Sequence, residues 1–220
     1  MTASLARPPQ SSSQRYNATW QDYVGVRDGI DWQKIAFNRG WLWFDMSTEG
    51  PNHAALSDLV TAIFFVWAFL HPEVPLQSYG RALIENPDTQ ACAPDLLLYK
   101  GDNIPKLKTD EPRRISLTRH RLPDLVGEIA DTSLSLDLDE QKQLYARLGI
   151  CEYWVIDVKG KRVFAFALTE AGVYEPLQVS QVLAGLPIAL VEQTLERTET
   201  DTNTAAASWL MQQLQPVTDP

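Results

Sequence analysis

An α/β fold, with a mixed central β-sheet flanked by helices, is the architecture this sequence predicts, and three observations predict it. Short apolar runs of strand length recur at residues 41–45, 93–99, 122–130, 153–156 and 162–167. Helically spaced apolar positions lie between them, at Leu56, Leu59, Val60, Ile63, Phe64 and Trp67 and again at Leu144, Tyr145 and Leu148. The resulting order of helix, strand, strand, basic loop, strand, helix, strand, strand suits a mixed sheet covered on its faces.

The elements can be justified in turn. Residues 1–15 are rich in Pro, Ser and Gln and read as a tail, 16–199 as one domain, and 200–220 as a C-terminal helix and tail. Residues 20–24 and 31–37 read as short helical or irregular pieces, and 41–45 as a strand ending in Asp45. Gly50-Pro51-Asn52-His53 opens a helix, because proline is tolerated in a first turn. Ser57, Asp58 and Thr61 interrupt its apolar stretch, which is too short and polar to span a bilayer.

Prolines at 72 and 75 break that helix, and residues 76–85 form a strand ahead of the one carrying Asp95. Residues 100–121 make a Lys/Arg-rich loop, followed by the strand that carries Glu128. Asp137, Asp139 and Glu140 fall in or before the first turn of the next helix, where they complement its dipole. Gly149 ends that helix. Residues 159–161 turn the chain between two strands, 174–179 read as an edge strand or part of a helix, and 190–195 as helical. Ala206, Leu210, Met211 and Leu214 give the last helix an apolar face for the body or for a second subunit.

Composition narrows the function classes. The 220 residues are 45% hydrophobic and 21% charged, values of a globular domain with a sizeable core. A formal net charge of −9 argues against tight nucleic-acid binding by the whole surface, though not by a local basic face. Cys92 and Cys151 have no metal-ligand spacing and read as buried free thiols of a reducing, cytoplasmic protein. The N-terminal residues lack the apolar core of a signal peptide. No glycine-rich phosphate loop, zinc pattern or nucleophile elbow is present.

The chemistry lies in the two carboxylates. A charge inside a short apolar strand is costly unless something uses it. Asp95 and Glu128 on two strands, followed by a helix bearing Lys142, point to a phosphodiesterase that depends on a divalent metal. Mg²⁺ takes one or two protein carboxylates, waters and a substrate phosphate, and a lysine can orient the attacking water. Pro94-Asp95 followed by Glu128 resembles the PD-(D/E)xK nuclease signature. More narrowly, PDLVGEIADTSLSLDLDEQKQLYARLGICEYWVID, residues 123–157, resembles the Uma-two-type restriction endonuclease domain.

The resemblance implies a restriction-endonuclease-like fold and a DNA endonuclease using Mg²⁺, with Mn²⁺ able to substitute. Asp95, Glu128 and the Ile129 carbonyl would hold the metal, and Lys142 would position the water. The family's lysine falls at position 141, where this chain has Gln141, so Lys142 is the neighbour left to serve. His53 stands at the family's histidine position, either beside the phosphate or simply as a helix-start residue. Glu152 and Asp157 read as stabilising the strand and its turn. Arg113, Arg114, Arg119 and Arg121 form either a solvated loop or a phosphate-contacting flap. Gln141 keeps a second class open, a non-catalytic nucleic-acid-binding or self-associating module.

Overall fold

The structure, a computed structural model, describes residues 13–29, 34–45, 49–108, 110–111 and 114–215. Strand β1 (Ser13–Asn17), helix α1 (Trp20–Val26), and strands β2 (Lys34–Asn38) and β3 (Trp41–Asp45) come first. The 20-residue α2 (Pro51–Leu70) is followed by β4 (Leu76–Ser78), β5 (Leu83–Asn86), β6 (Gln90–Cys92), β7 (Leu96–Lys100), β8 (Arg114–Ser116) and β9 (Leu125–Ala130). One helical segment then joins α3 (Leu134–Leu136), a π turn (Asp137–Gln141) and α4 (Lys142–Leu148). Strands β10 (Glu152–Asp157), β11 (Arg162–Leu168) and β12 (Tyr174–Pro176) lead into α5 (Ile188–Glu196), a single 3₁₀ turn and α6 (Asn203–Leu214).

The strands form two six-stranded sheets. The order β12-β11-β10-β9-β7-β4 makes the sheet that the apolar runs predicted. In it β9 and β10 run parallel, Glu128 opposite Val155, and the other pairs are antiparallel. The order β1-β3-β2-β6-β5-β8 makes a second sheet that sequence reasoning did not foresee. Within the segment 31–37, expected to be helical or irregular, the described residues from Lys34 onward belong to β2, a strand paired with β3 and β6. Strand β1 begins inside the segment expected to be tail, and the strand expected over 76–85 is two strands, one in each sheet.

Strand alternation divides the core. On one face Leu96, Leu98, Leu125, Ile129 and Trp154 pack under α2, α5 and α6. On the other, Leu97, Tyr99, Val126 and Tyr153 pack with Leu144, Tyr145 and Leu148 of α4. Glu128 shares the second face with Val126 and Ala130, directing it towards α4. Gly127 beside it lets the strands pack closely: a Cβ there would stand 3.1 Å from Leu96 Cδ1 and 3.2 Å from the Trp154 carbonyl.

Helix α2 is long and apolar enough by composition to cross a membrane, but Leu56, Leu59, Val60, Ile63, Phe64 and Trp67 are buried against the sheet. Helix α6 packs on the body through Ala206 and Leu210, and Asn203 Nδ2 donates to the Ala55 carbonyl at 2.7 Å. Gly149 caps α4 at φ 86°, as its position predicted. Cys92 is buried, whereas Cys151, expected to be buried as well, is exposed.

Candidate metal centre

The two sheets meet where the chain leaves β6 and enters β7, and Asp95 stands in that junction. Its carboxylate is almost fully buried and accepts the Ile129 amide on Oδ2 at 2.9 Å. An extended residue directs its N–H and C=O to the same strand edge, so the Ile129 carbonyl shares that edge with Asp95. Glu128, one residue earlier on β9, is 0% exposed. Tyr145 Oη of α4 donates to Glu128 Oε1 at 2.5 Å, and the Asp95 amide lies 3.5 Å from Oε2.

His53, in the first turn of α2, places Nε2 3.4 Å from Asp95 Oδ2 and Nδ1 3.4 Å from Glu49 Oε2. Arg81 pairs with the same Glu49 oxygen. Glu49, His53 and Asp95 thus offer ligand atoms within 4.8 Å of one another. These carboxylates, with the carbonyl edge of β9 beside them, fit a hard divalent cation, which prefers oxygen donors.

A residue that sequence reasoning missed completes the cluster. Lys34, the first residue of β2, sends Nζ to within 3.0 Å of Asp95 Oδ1 and into contact with Glu128 Oε2. No local pattern marked it, since its partners are 61 and 94 positions away. Asp137, buried in the π turn and held by Ser133 Oγ at 2.6 Å, adds a third acidic group whose field reaches Lys34 and Glu128.

The electrostatics separate the two carboxylates. Burial pushes Glu128 up, and the neighbouring Asp95 and Asp137 add to that against Lys34, raising it to about 8. Burial pushes Asp95 up too, but Lys34, His53 and the Ile129 amide outweigh it and hold Asp95 well below the usual carboxylate range. Burial alone would depress Lys34; Glu128 and Asp95 instead raise it above an ordinary lysine. Lys34 therefore remains an ammonium.

The helix residues expected at the site fall elsewhere. Lys142 Nζ lies over the Phe166 ring, 3.6 Å from its centroid, and lines a cleft with Asp139, Arg147 and Tyr174. The lysine in contact with both carboxylates is Lys34, and Lys142 sits on an aromatic ring. Gln141 is buried one turn before Tyr145, and its Oε1 has no hydrogen-bond partner.

Of the four arginines expected in a solvated loop or a phosphate-contacting flap, Arg114, Arg119 and Arg121 lie among the described residues. Arg114 pairs with Glu85 at 3.3 Å and Asp28 at 3.2 Å, tying β8 to β5 and α1. Arg121 bonds Asp124 at 2.8 Å and the Lys100 and Asp102 carbonyls, with its guanidinium over Tyr99. Arg119 pairs with Glu111, and Arg113 lies outside the described residues. The described loop arginines thus have acidic and carbonyl partners within the chain. A different basic surface is present, a cleft of about 350 Å³ lined by Arg15, Arg39, Trp41, Trp43 and Arg147 together with Glu140, with which Arg15 pairs at 3.1 Å. Arg15 stacks 4.3 Å above the half-exposed Trp41 ring.

Glu152 and Asp157 serve structure, as their positions indicated. Glu152 accepts Trp154 Nε1 and Ser180 Oγ at 2.7 Å and two backbone amides at 2.9 Å. Asp157 Oδ1 accepts the Lys159 and Gly160 amides that form the β10–β11 turn.

Comparison with known proteins bears on the fold and the family. A crystal structure described as a putative nuclease belonging to DUF820 from Anabaena variabilis superposes with a TM-score of 0.55 at 16% identity. The match covers 88% of this chain and 99% of that one, and shows a shared fold. No curated protein matches the chain. A family model described as Uma2, putative restriction endonuclease, matches residues 20–211. The chain belongs to the Uma2 family.

Proposed function

We propose that this protein is a metal-dependent endonuclease that hydrolyses phosphodiester bonds of DNA. The observation that carries this reading is the meeting of Asp95 and Glu128, from separate strands, at one buried point beside the Ile129 backbone edge. Those three groups would hold Mg²⁺, with Mn²⁺ able to replace it. When bound, the ion would supply a Lewis acid for the phosphoryl oxygens and a more acidic water.

The chain's own groups supply the rest. Tyr145 fixes one Glu128 oxygen and leaves the other turned to the site. His53 orients Asp95 from the α2 side and lies where it can hydrogen-bond a water or phosphate oxygen. The Arg15–Trp41 cleft offers cations and an aromatic face, the pairing that suits a nucleic-acid strand on a chain of net charge −9. Family membership and the nuclease neighbour support the same reaction class.

Nicking of supercoiled plasmid in Mg²⁺ or Mn²⁺, and its loss in EDTA, tests the reading. Asp95→Asn and Glu128→Gln are each expected to lose the nicking while unfolding cooperatively. Full nicking by either folded variant would overturn the assignment.

A further inference from the structure

Lys34 is an unusual group to find between two buried carboxylates. It arrives from the second sheet, anchored by the pairing of its backbone with Asp45, and reaches across the junction to oxygens of both Asp95 and Glu128. Among the described residues it is the lysine or arginine in contact with that pair, since Lys142 lies over Phe166 and position 141 is a neutral glutamine. Two carboxylates this close cannot both ionise in a buried site without a cation beside them. A divalent ion held by Asp95 and Glu128 would compete with that ammonium for their negative charge. Its charge and the ammonium repel at such range, so the two cannot both bind there at full strength.

We propose that Lys34 is an internal counter-ion that holds the metal position on Asp95 and Glu128 in the metal-free protein. When a divalent cation binds, the ammonium is displaced on its flexible stem towards the mouth of the site, where it contacts a phosphate of the substrate. This rests on the metal-site reading above. The Lys34 side chain is 24% exposed, whereas the carboxylates are 6% and 1% exposed and are held by the Ile129 amide and the Tyr145 hydroxyl. A lysine suits such a dual role because its charge is a point on four rotatable carbons rather than a rigid fork.

Titration calorimetry of Mn²⁺ into metal-stripped full-length protein tests this without reference to activity. Lys34→Gln removes the competing charge and is expected to bind Mn²⁺ at least about tenfold more tightly than wild type. Its thermal midpoint is expected to fall in EDTA and to recover with Mn²⁺, which replaces the lost cation. Lys34→Arg keeps the charge and is expected to retain wild-type or weaker affinity, so it serves if Lys34→Gln proves hard to fold. Plasmid nicking by Lys34→Gln should nonetheless fall roughly a hundredfold, because tighter metal binding does not replace the phosphate contact. Equal or weaker Mn²⁺ binding by Lys34→Gln, with Asp95→Asn abolishing it, would overturn the counter-ion role and leave the metal site standing. Heats unaffected by Asp95→Asn, or no Mn²⁺ binding by any form, would overturn the metal site and the counter-ion role with it.

Discussion

Glu128 on β9 and Glu152 on the adjacent β10 are both essentially inaccessible, at 0% and 1% exposure, yet they are solvated in opposite ways. Glu152 accepts four hydrogen bonds from neutral groups, an indole, a hydroxyl and two amides, all donated by β10 itself or by residues 180–182. Those donors belong to groups that need an acceptor, so its charge locks the 180–182 segment onto the sheet. Glu128 has two neutral donors, the Tyr145 hydroxyl and the Asp95 amide at 3.5 Å, and otherwise faces an ammonium and another carboxylate. Burial of a charge marks neither function nor structure. What distinguishes the two is whether the partners are neutral and saturating or charged and replaceable.

The sharpest way to break that distinction is to neutralise each glutamate. Glu128→Gln is expected to reduce plasmid nicking below detection, a loss of at least about a thousandfold, while still unfolding cooperatively. Glu152→Ala leaves an indole, a hydroxyl and two amides without their acceptor, and is expected to cost about 3–5 kcal/mol of stability by denaturant titration. Its nicking rate per folded molecule should stay near wild type. Equal loss of activity in the two variants would erase the difference claimed between them.

Acidity offers a subtler comparison. The folded value of Glu128 is raised to about 8, above the roughly 4.3 of an unfolded glutamate, so the native state holds the extra proton between those values. Its contribution to stability is therefore fully present below about pH 4 and is lost as pH rises towards 8. Asp95, held below its ordinary value, acts the other way: its contribution is present above about pH 4 and lost on further acidification. In EDTA, the thermal midpoint of Glu128→Gln relative to wild type is expected to climb between pH 5 and 8. A difference that stays flat across that range would show that burial does not dominate at Glu128.

The two basic regions contrast similarly. Arg114→Gln or Arg121→Gln is expected to cost about 1 kcal/mol through lost internal bonds, without altering the salt dependence of DNA binding. Arg39→Gln and Arg147→Gln in the tryptophan-lined cleft are each expected to lower the log–log salt slope by about 0.9 for duplex DNA. The smallest effect concerns the thiols. Ellman's reagent should modify Cys151 in the native protein and reach Cys92 on unfolding, giving a two-step titration.

Much of this was legible in the residues. The central sheet and its helices follow from apolar runs that mark strands one by one whatever their partners, and Asp95 and Glu128 stood out because each interrupts such a run. Gly149 and the proline-led start of α2 fixed helix ends by local backbone chemistry. The second sheet was not legible, because β2 is short and gains its strand character from pairing with β3 and β6. Misreading β2 concealed Lys34, whose importance lies wholly in contacts across the sheet junction. Lys142 looked functional because a helix position says which residues are near one another, not which neighbour each one finds. Arg121 looked free because its partners Lys100 and Asp102 come 19 to 21 residues earlier.

A metal centre at the junction between the sheets is tested most directly by anomalous diffraction from crystals grown or soaked in Mn²⁺. A manganese peak bonded to Asp95 and Glu128 is expected, with Lys34 Nζ withdrawn from both carboxylates and Glu152 unchanged. An ordered Asp95–Glu128–Lys34 cluster without manganese at millimolar Mn²⁺ would contradict it.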